Sequence, residues 1–468
     1  MTYRFTRRQA VKTGIALVGG LAASPLIAHE LQAITPARAA GSLPWPEANK
    51  IVAETVIPTF PNQNFLATNY GAKGDGHTDN TTAFKNAISA CNAAGGGHVI
   101  VPAGTYSTGA VYLKSNVDLH LDAGATLMFS GNASNYPPVL TRYEGIECVN
   151  HSPLVYAHGE TNIALTGSGT LDAAGTASWN TGSNRAGILD PMVAAGVPPL
   201  KRNVVGKLRV TFVEPYSCTN VLIQGVTVRH TQFWNLHPCL SKNVTVDSVT
   251  VTAPGRGNSD GCDPECCDHV VINNSSFTCM DDTIAIKSGR DADGRRINTP
   301  CQNLVIMNSK FDSNRGMVAL GSEMTGGIQN VYCYNLASQG AGIWSFLYIK
   351  SNSLRGGFAK NINMDTIHAV GRSGSSGTSG GPAGILAIMN YNGQTGNFLP
   401  VFTNINVNNV TFSKSPQAIR LVGLPNDKIS NLAVSNTTFT NITNPTNSIS
   451  NATNVTFTNV TINGKPVH

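Results

Sequence analysis

The sequence predicts an all-β chain: a right-handed parallel β-helix, or solenoid, with a short N-terminal capping helix. Three observations predict it. A phrase of alternating apolar residues, opened by Asn, recurs along the chain. Only 12% of the 468 residues are charged while 47 are Gly, a balance that suits short strands and turns rather than helices with charged faces. Hairpin turns such as Asn-Gly are scarce between the strands, which counts against a β-sandwich.

The phrase is clearest in Asn220–Val228, Asn243–Val251, His269–Phe277 and Asn303–Phe311, and later copies open at Asn330, Asn361, Asn404, Asn431 and Asn454. Successive openings are 23, 26, 34, 27, 31, 43, 27 and 23 residues apart. Period-two alternation marks strands with one buried face. An Asn or small polar residue between the apolar pairs marks a bend. A strand–bend–strand unit cannot bury its own apolar face, but stacked copies can, with equal positions in adjacent coils ~4.8 Å apart. The recurrent Asn residues are expected to form hydrogen-bonded ladders at the bends.

In chain order, residues 1–39 read as an export signal. Arg4, Arg7, Arg8 and Lys12 precede the apolar stretch Gly14–Ala23, and Ala37 to Ala39 offers a small-x-small cleavage site. Thr6 to Lys12 resembles a twin-arginine signal, which places the protein in the periplasm or outside a bacterial cell. That segment holds five basic residues and one acid, a net of +4, so the formal +6 falls to +2 once it is removed. A nucleic-acid partner is therefore not implied. No other run approaches the ~18 apolar residues of a membrane helix, so no membrane association is expected after signal removal. Residues 40–64 read as a linker and 65–468 as one β-helix catalytic domain, expected to be a monomer. Within it, Thr78 to Cys91 reads as an amphipathic helix plugging the first coil, ended by Gly95–Gly97 and followed by strand Val99–Val101. The Asn/Thr-rich end, Asn404 to His468, reads as further coils and a cap. The ten Cys lack any CxxC pair and sit mostly at apolar positions, which favours buried thiols over zinc, although an exported chain could form disulfides.

The repeat serves as a ruler for the acidic residues. Asp281 lies 12 residues after His269, and Arg315 lies 12 after Asn303, so the two side chains fall one coil apart on one face. Asp260 precedes Asp281 by 21 residues, about one coil, with the Pro254–Gly261 loop blurring its register. Asp282 adjoins Asp281, and Tyr348 and Lys350 lie on a later coil. Clustered acids cannot all ionise freely, so one holds a proton for a leaving glycosidic oxygen while an ionised partner activates water. A spacing of ~6.5–9.5 Å between the two leaves room for that water and inverts the anomeric carbon. Asp pairs also occur in solvated turns and calcium sites, and Asp260, Asp263, Asp281 and Asp282 could supply some calcium ligands. The shared register favours catalysis without a metal or cofactor. Trp179, Trp234 and Trp344 are candidates to stack on sugars or to form groove wall.

Asn258 to Pro264, Met280 to Gly289 and Leu320 to Gly327 together resemble the polygalacturonases, family 28 of the glycoside hydrolases. Phe65 to Gly76 resembles their N-terminal motif, and Tyr143 to Cys148 their bacterial, often exo-acting branch. The resemblance implies an inverting hydrolase acting on pectic polysaccharide or oligosaccharide, with Asp281 as general acid. It implies Asp260 and Asp282 on the water, Lys350 holding a substrate carboxylate, and Asn258 at the family's Asn. Two positions depart from the pattern. Arg315, in Asn314-Arg315-Gly316, stands where the family has His, and Tyr348, in Tyr348-Ile349-Lys350, stands where it has Arg. Arg315 restores a positive charge but cannot shuttle a proton, and beside Asp281 it lowers that acid's pKa. Arg315 and Tyr348 are accordingly expected at the substrate. The altered pair keeps three alternatives open: another α-glycoside as substrate, a lyase, and a binder without turnover.

Overall fold

A computed structural model describes residues 42–372 and 381–468. The export signal expected over residues 1–39, and most of the Gly-rich segment 371–381, lie outside the described residues. From Asn64 onward the chain winds as a parallel β-helix, as the repeat predicts. Nearly all pairings are parallel and in register between successive coils; one column runs through Val221, Val244, Val270, Leu304, Val331, Ile362, Ile405 and Leu432. These side chains are buried inside the coils, each stabilising the stack by roughly 1.5–3 kcal/mol relative to exposure. Phe277 and Phe311, opposite each other in register, stack at 5.8 Å within the same core.

The opening Asn of each copy has a specific task. Asn220, Asn243, Asn303, Asn330, Asn361, Asn404, Asn431 and Asn454 all lie at φ between 53° and 58°, and His269 takes the same place at 60°. Asn tolerates this left-handed conformation better than other non-Gly residues. Its side chain then bonds to the next: Nδ2 of Asn220, Asn243, Asn330 and Asn361 donates to Oδ1 of the residue one coil earlier, at 2.8–2.9 Å. At the break made by His269, Asn303 donates to Asp268 instead, at 2.7 Å. The ladder ties backbone bend to coil stacking.

Both caps form. Helix Thr81–Ala93 buries Ala83, Phe84, Ala87, Ile88 and Cys91 against the first coils, and Gly95, Gly96 and Gly97 end it at positive φ. The stack begins slightly earlier than expected, because Asn64–Leu66 pairs with Gly97–Val101. At the far end Lys465–Pro466 folds back antiparallel on the last long strand. The segment expected as a linker carries helix Pro46–Glu54, which buries Ala48 and Ile51 against the outside of the stack and sets Trp45 5.5 Å from Tyr332. All ten cysteines are free and buried.

One face of the solenoid carries the chemistry. It comprises short strands Val111–Tyr112, Val155–His158 and Val213–Tyr216, then bridges through Leu236 and Cys262, then strands Ile284–Ile286, Gly316–Gly321, Ser345–Lys350 and onward. Two long insertions rise beside it. The ladder step from Asn116 to Asn162 spans 46 residues and that from Asn162 to Asn220 spans 58, against 23 for the step that follows. The first insertion is an antiparallel hairpin, Pro138–Tyr143 with Ile146–His151. Its turn residues Glu144 and Gly145 have φ of 45° and 83°, the paired positive values of a tight two-residue turn. The second contains helix Arg185–Ala194.

Candidate active site

Asp281 falls beside Arg315, as the repeat spacing predicts: each lies three residues before the paired positions Ile284 and Val318. Asp260 sits one coil below Asp282, not Asp281, since Cys262 bridges to Ile284. The acids nevertheless converge: carboxylate oxygens of Asp260, Asp281 and Asp282 lie within 4.8 Å of one another. That is closer than the ~6.5–9.5 Å carboxyl separation expected from the sequence for an inverting pair, although a nearest-oxygen gap understates the distance between carboxyl centres. The three acids line a cavity of about 300 Å³, together with Asn258, Arg315, Tyr348 and Lys350.

Each acid is held differently. Asp282 is buried and held at both oxygens, each with acceptor capacity to spare: Oδ1 accepts from Gly316 N at 2.8 Å, and Oδ2 pairs with Lys350 Nζ at 2.7 Å. The approach requires glycine at 316, where a Cβ would meet Asp282 Oδ1 at 3.0 Å and Tyr348 Cβ at 3.2 Å. Asp281 opens to the cavity and accepts from the backbone N–H groups of Asp282 at 3.0 Å and Asn258 at 3.4 Å. Asp260 is buried, with Lys287 Nζ 3.7 Å from Oδ2, and its Oδ1 has no hydrogen-bond partner.

The electrostatics follow from burial and like charge. Burial, and then Asp282, raise the pKa of Asp281; Lys350 and Arg315 oppose that rise but do not cancel it. The lowering expected from Arg315 is thus present but outweighed. Burial, and then Asp263, push Asp260 well above the usual carboxylate range. Burial lifts Asp263 to about 7, against the pull of Lys287 and His237.

The remaining sequence-derived residues also reach the cavity. Lys350, expected to hold a substrate carboxylate, is committed to Asp282 and lies 4.5 Å above the Tyr348 ring. Tyr348 is buried and meets Trp344 edge-on at 5.6 Å. Asn258 Oδ1 accepts from Arg209 Nη2 at 2.9 Å. Trp234 and Trp344 form cavity wall, whereas Trp179 packs on Tyr136 and His151 away from it. The three acids could hold a cation, but Lys287 and Lys350 already bring positive charge to Asp260 and Asp282.

Sequence reasoning missed the charged wall. Glu323 binds Arg290 at 2.8 Å, Lys287 at 3.5 Å and Arg355 at 3.8 Å. Burial alone would raise its pKa, but Lys287, Arg355, Arg290 and Lys350 hold it well below the ordinary value. Glu144, at the hairpin tip, accepts from Arg185 of the second insertion at 2.7 Å, so the two insertions brace each other beside the cavity. The hairpin in turn rests on the site: Arg290 N donates to Gly145 O at 3.1 Å. Lys287 and Glu323 lie inside motifs visible in the sequence, yet nothing in one sequence separates such supports from the acids they support.

Comparison with known proteins places the chain. The model of glycosyl hydrolases family 28 matches residues 91–414. A probable polygalacturonase of Vitis vinifera is 29% identical over 389 residues, covering 79% of this chain and 72% of that protein. An exo-poly-alpha-D-galacturonosidase of Dickeya chrysanthemi is 31% identical over 310 residues, covering 60% of this chain and half of that protein. The crystal structure of a hyperthermoactive exopolygalacturonase from Thermotoga maritima superposes with a TM-score of 0.82 at 34% identity, over 89% of this chain and 96% of that one.

Proposed function

The chain belongs to family 28 of the glycosyl hydrolases, and on that premise we propose that it releases galacturonate from the end of α-linked pectic chains by inverting hydrolysis. The observation that carries the reading is the convergence of Asp260, Asp281 and Asp282 in one cavity. In this mechanism Asp281 gives its proton to the glycosidic oxygen as the bond to the anomeric carbon breaks. Asp282, with Asp260 beside it, orients the attacking water and accepts its proton. Asn258, Arg315, Tyr348 and Lys350 line the space that takes the sugar. Two relatives whose names state exo action support the chain-end reading. So does the wall formed by Glu144 and Arg185, which stand beside the acids on insertions absent from the regular coils.

The protein acts, in this account, as an exported monomer in the periplasm or outside the cell. Among the described residues no helix is long and apolar enough to cross a membrane.

The test is digestion of polygalacturonate with chromatography of the earliest products. Free galacturonate appearing from the start, with the polymer shortening slowly, is the expected result. A ladder of oligomers would overturn chain-end action. Unsaturated, ultraviolet-absorbing products would replace hydrolysis by elimination.

A further inference from the structure

Six cations line the cavity: Arg185, Lys287, Arg290, Arg315, Lys350 and Arg355. Five are already matched by acids of the protein. Arg185 pairs with Glu144 and Asp190, Lys287 with Asp263 and Glu323, and Arg290 with Glu323. Lys350 pairs with Asp282, and Arg355 with Asp291 at 3.3 Å. Among the described residues no carboxylate lies within ion-pairing distance of Arg315. Its guanidinium sits 5.2 Å from the centre of the Trp344 ring, and its backbone is fixed by a 2.8 Å bond from Arg315 N to Ser313 Oγ. Among the described residues this partly exposed guanidinium over Trp344 is thus the one cavity cation without an ion-pair partner.

We propose that Arg315 binds the carboxylate of a galacturonate unit at the scissile bond, and that Lys350 is a positioning residue for Asp282. This rests on the hydrolase reading above. Arginine suits the task because its planar fork matches a carboxylate in a bidentate pair, and the Trp344 face beneath it gives the cation a second support. The assignment has a consequence for catalysis. Asp281 faces Asp260 from the preceding coil, Asp282 beside it, and Lys350 and Arg315 from the following coils. The two acids favour its protonated form and the two cations oppose it. A substrate carboxylate that pairs with Arg315 offsets one of those cations. A charged uronate therefore strengthens the proton-holding state of the acid that cleaves it, and a neutral sugar does not.

The test compares wild type with Arg315→Gln and Arg315→Lys on trigalacturonate and on its methyl ester. In Arg315→Gln, KM for trigalacturonate is expected to rise about 10- to 100-fold, as for loss of a charge-assisted pair, while KM for the ester changes little. Arg315→Lys restores part of the difference. In wild type on trigalacturonate the alkaline limb of kcat, which reports the complex, lies at higher pH than that of kcat/KM, which reports the free enzyme. The two limbs converge in Arg315→Gln. An unchanged KM for trigalacturonate, or equal losses on acid and ester, overturns the assignment. Should wild type itself release no galacturonate, the hydrolase reading fails instead, so the two failures are distinguishable. Should Arg315→Gln not fold, the Arg315→Lys comparison decides by the same criterion.

Discussion

Asp281→Asn is expected to lower kcat on polygalacturonate by about 10²–10⁴-fold, the usual contribution of a general acid, with KM nearly unchanged. The amide fills the same space and can still face the N–H groups of Asn258 and Asp282, but it has no acidic proton for the leaving oxygen. The pH dependence of wild type should carry the same signature. Burial and Asp282 raise the pKa of Asp281, so the proton is present at acid pH and is lost as pH rises through that raised value. The alkaline limb of kcat/KM should therefore lie above the ordinary Asp value of ~3.9 and vanish, with most of the activity, in Asp281→Asn. Steady-state kinetics across pH measure both. Equal activity in the two proteins would remove Asp281 from the mechanism.

Glu323→Ala is expected to destabilise the fold by roughly 3–5 kcal/mol, the cost of breaking a buried ion pair from one side. The variant leaves Lys287, Arg290 and Arg355 facing one another in the cavity wall without their shared counter-charge. Glu323 has its pKa held well below the ordinary value, so its contribution is complete above about pH 4.5, the ordinary value, and fades only as pH falls toward the depressed one. Chemical denaturation at pH 7 should therefore show the full loss, and the gap between wild type and variant should narrow only in strong acid. A loss below about 1 kcal/mol at pH 7 would place the network in the weak class of solvent-screened surface pairs.

Much of the fold was legible because one physical requirement recurs in every coil. A left-handed bend favours Asn, and Asn in a stack bonds to Asn, so the sequence displays the coil boundaries directly. The same regularity placed Asp281 against Arg315, since no insertion separates either from its coil opening. It failed by one position for Asp260, where the Pro254–Gly261 loop shifts the count and Cys262 pairs with Ile284. Helix Pro46–Glu54 is not legible in the sequence because it packs on the outside of the stack, where only Ala48 and Ile51 are buried and the apolar signal is thin. Lys350 is legible as a site residue, whereas its 2.7 Å bond to Asp282 is a tertiary fact that spacing along the chain does not encode. The opposing pulls on Asp281 are legible as charge signs, whereas the burial that outweighs Arg315 is not. The wall of Glu144 and Arg185 arises from two insertions, which interrupt the repeat that made everything else readable.

If Asp281 and Asp282 act as acid and water-activating base across one glycosidic bond, the first product carries the inverted anomeric configuration. Proton NMR of polygalacturonate digestion, recorded before mutarotation equilibrates the sugar, should show galacturonate emerging in the β form from its α linkage. Galacturonate emerging first in the α form would mean that an acid of the cluster attacks the sugar itself, and would remove Asp282 as the base that activates water.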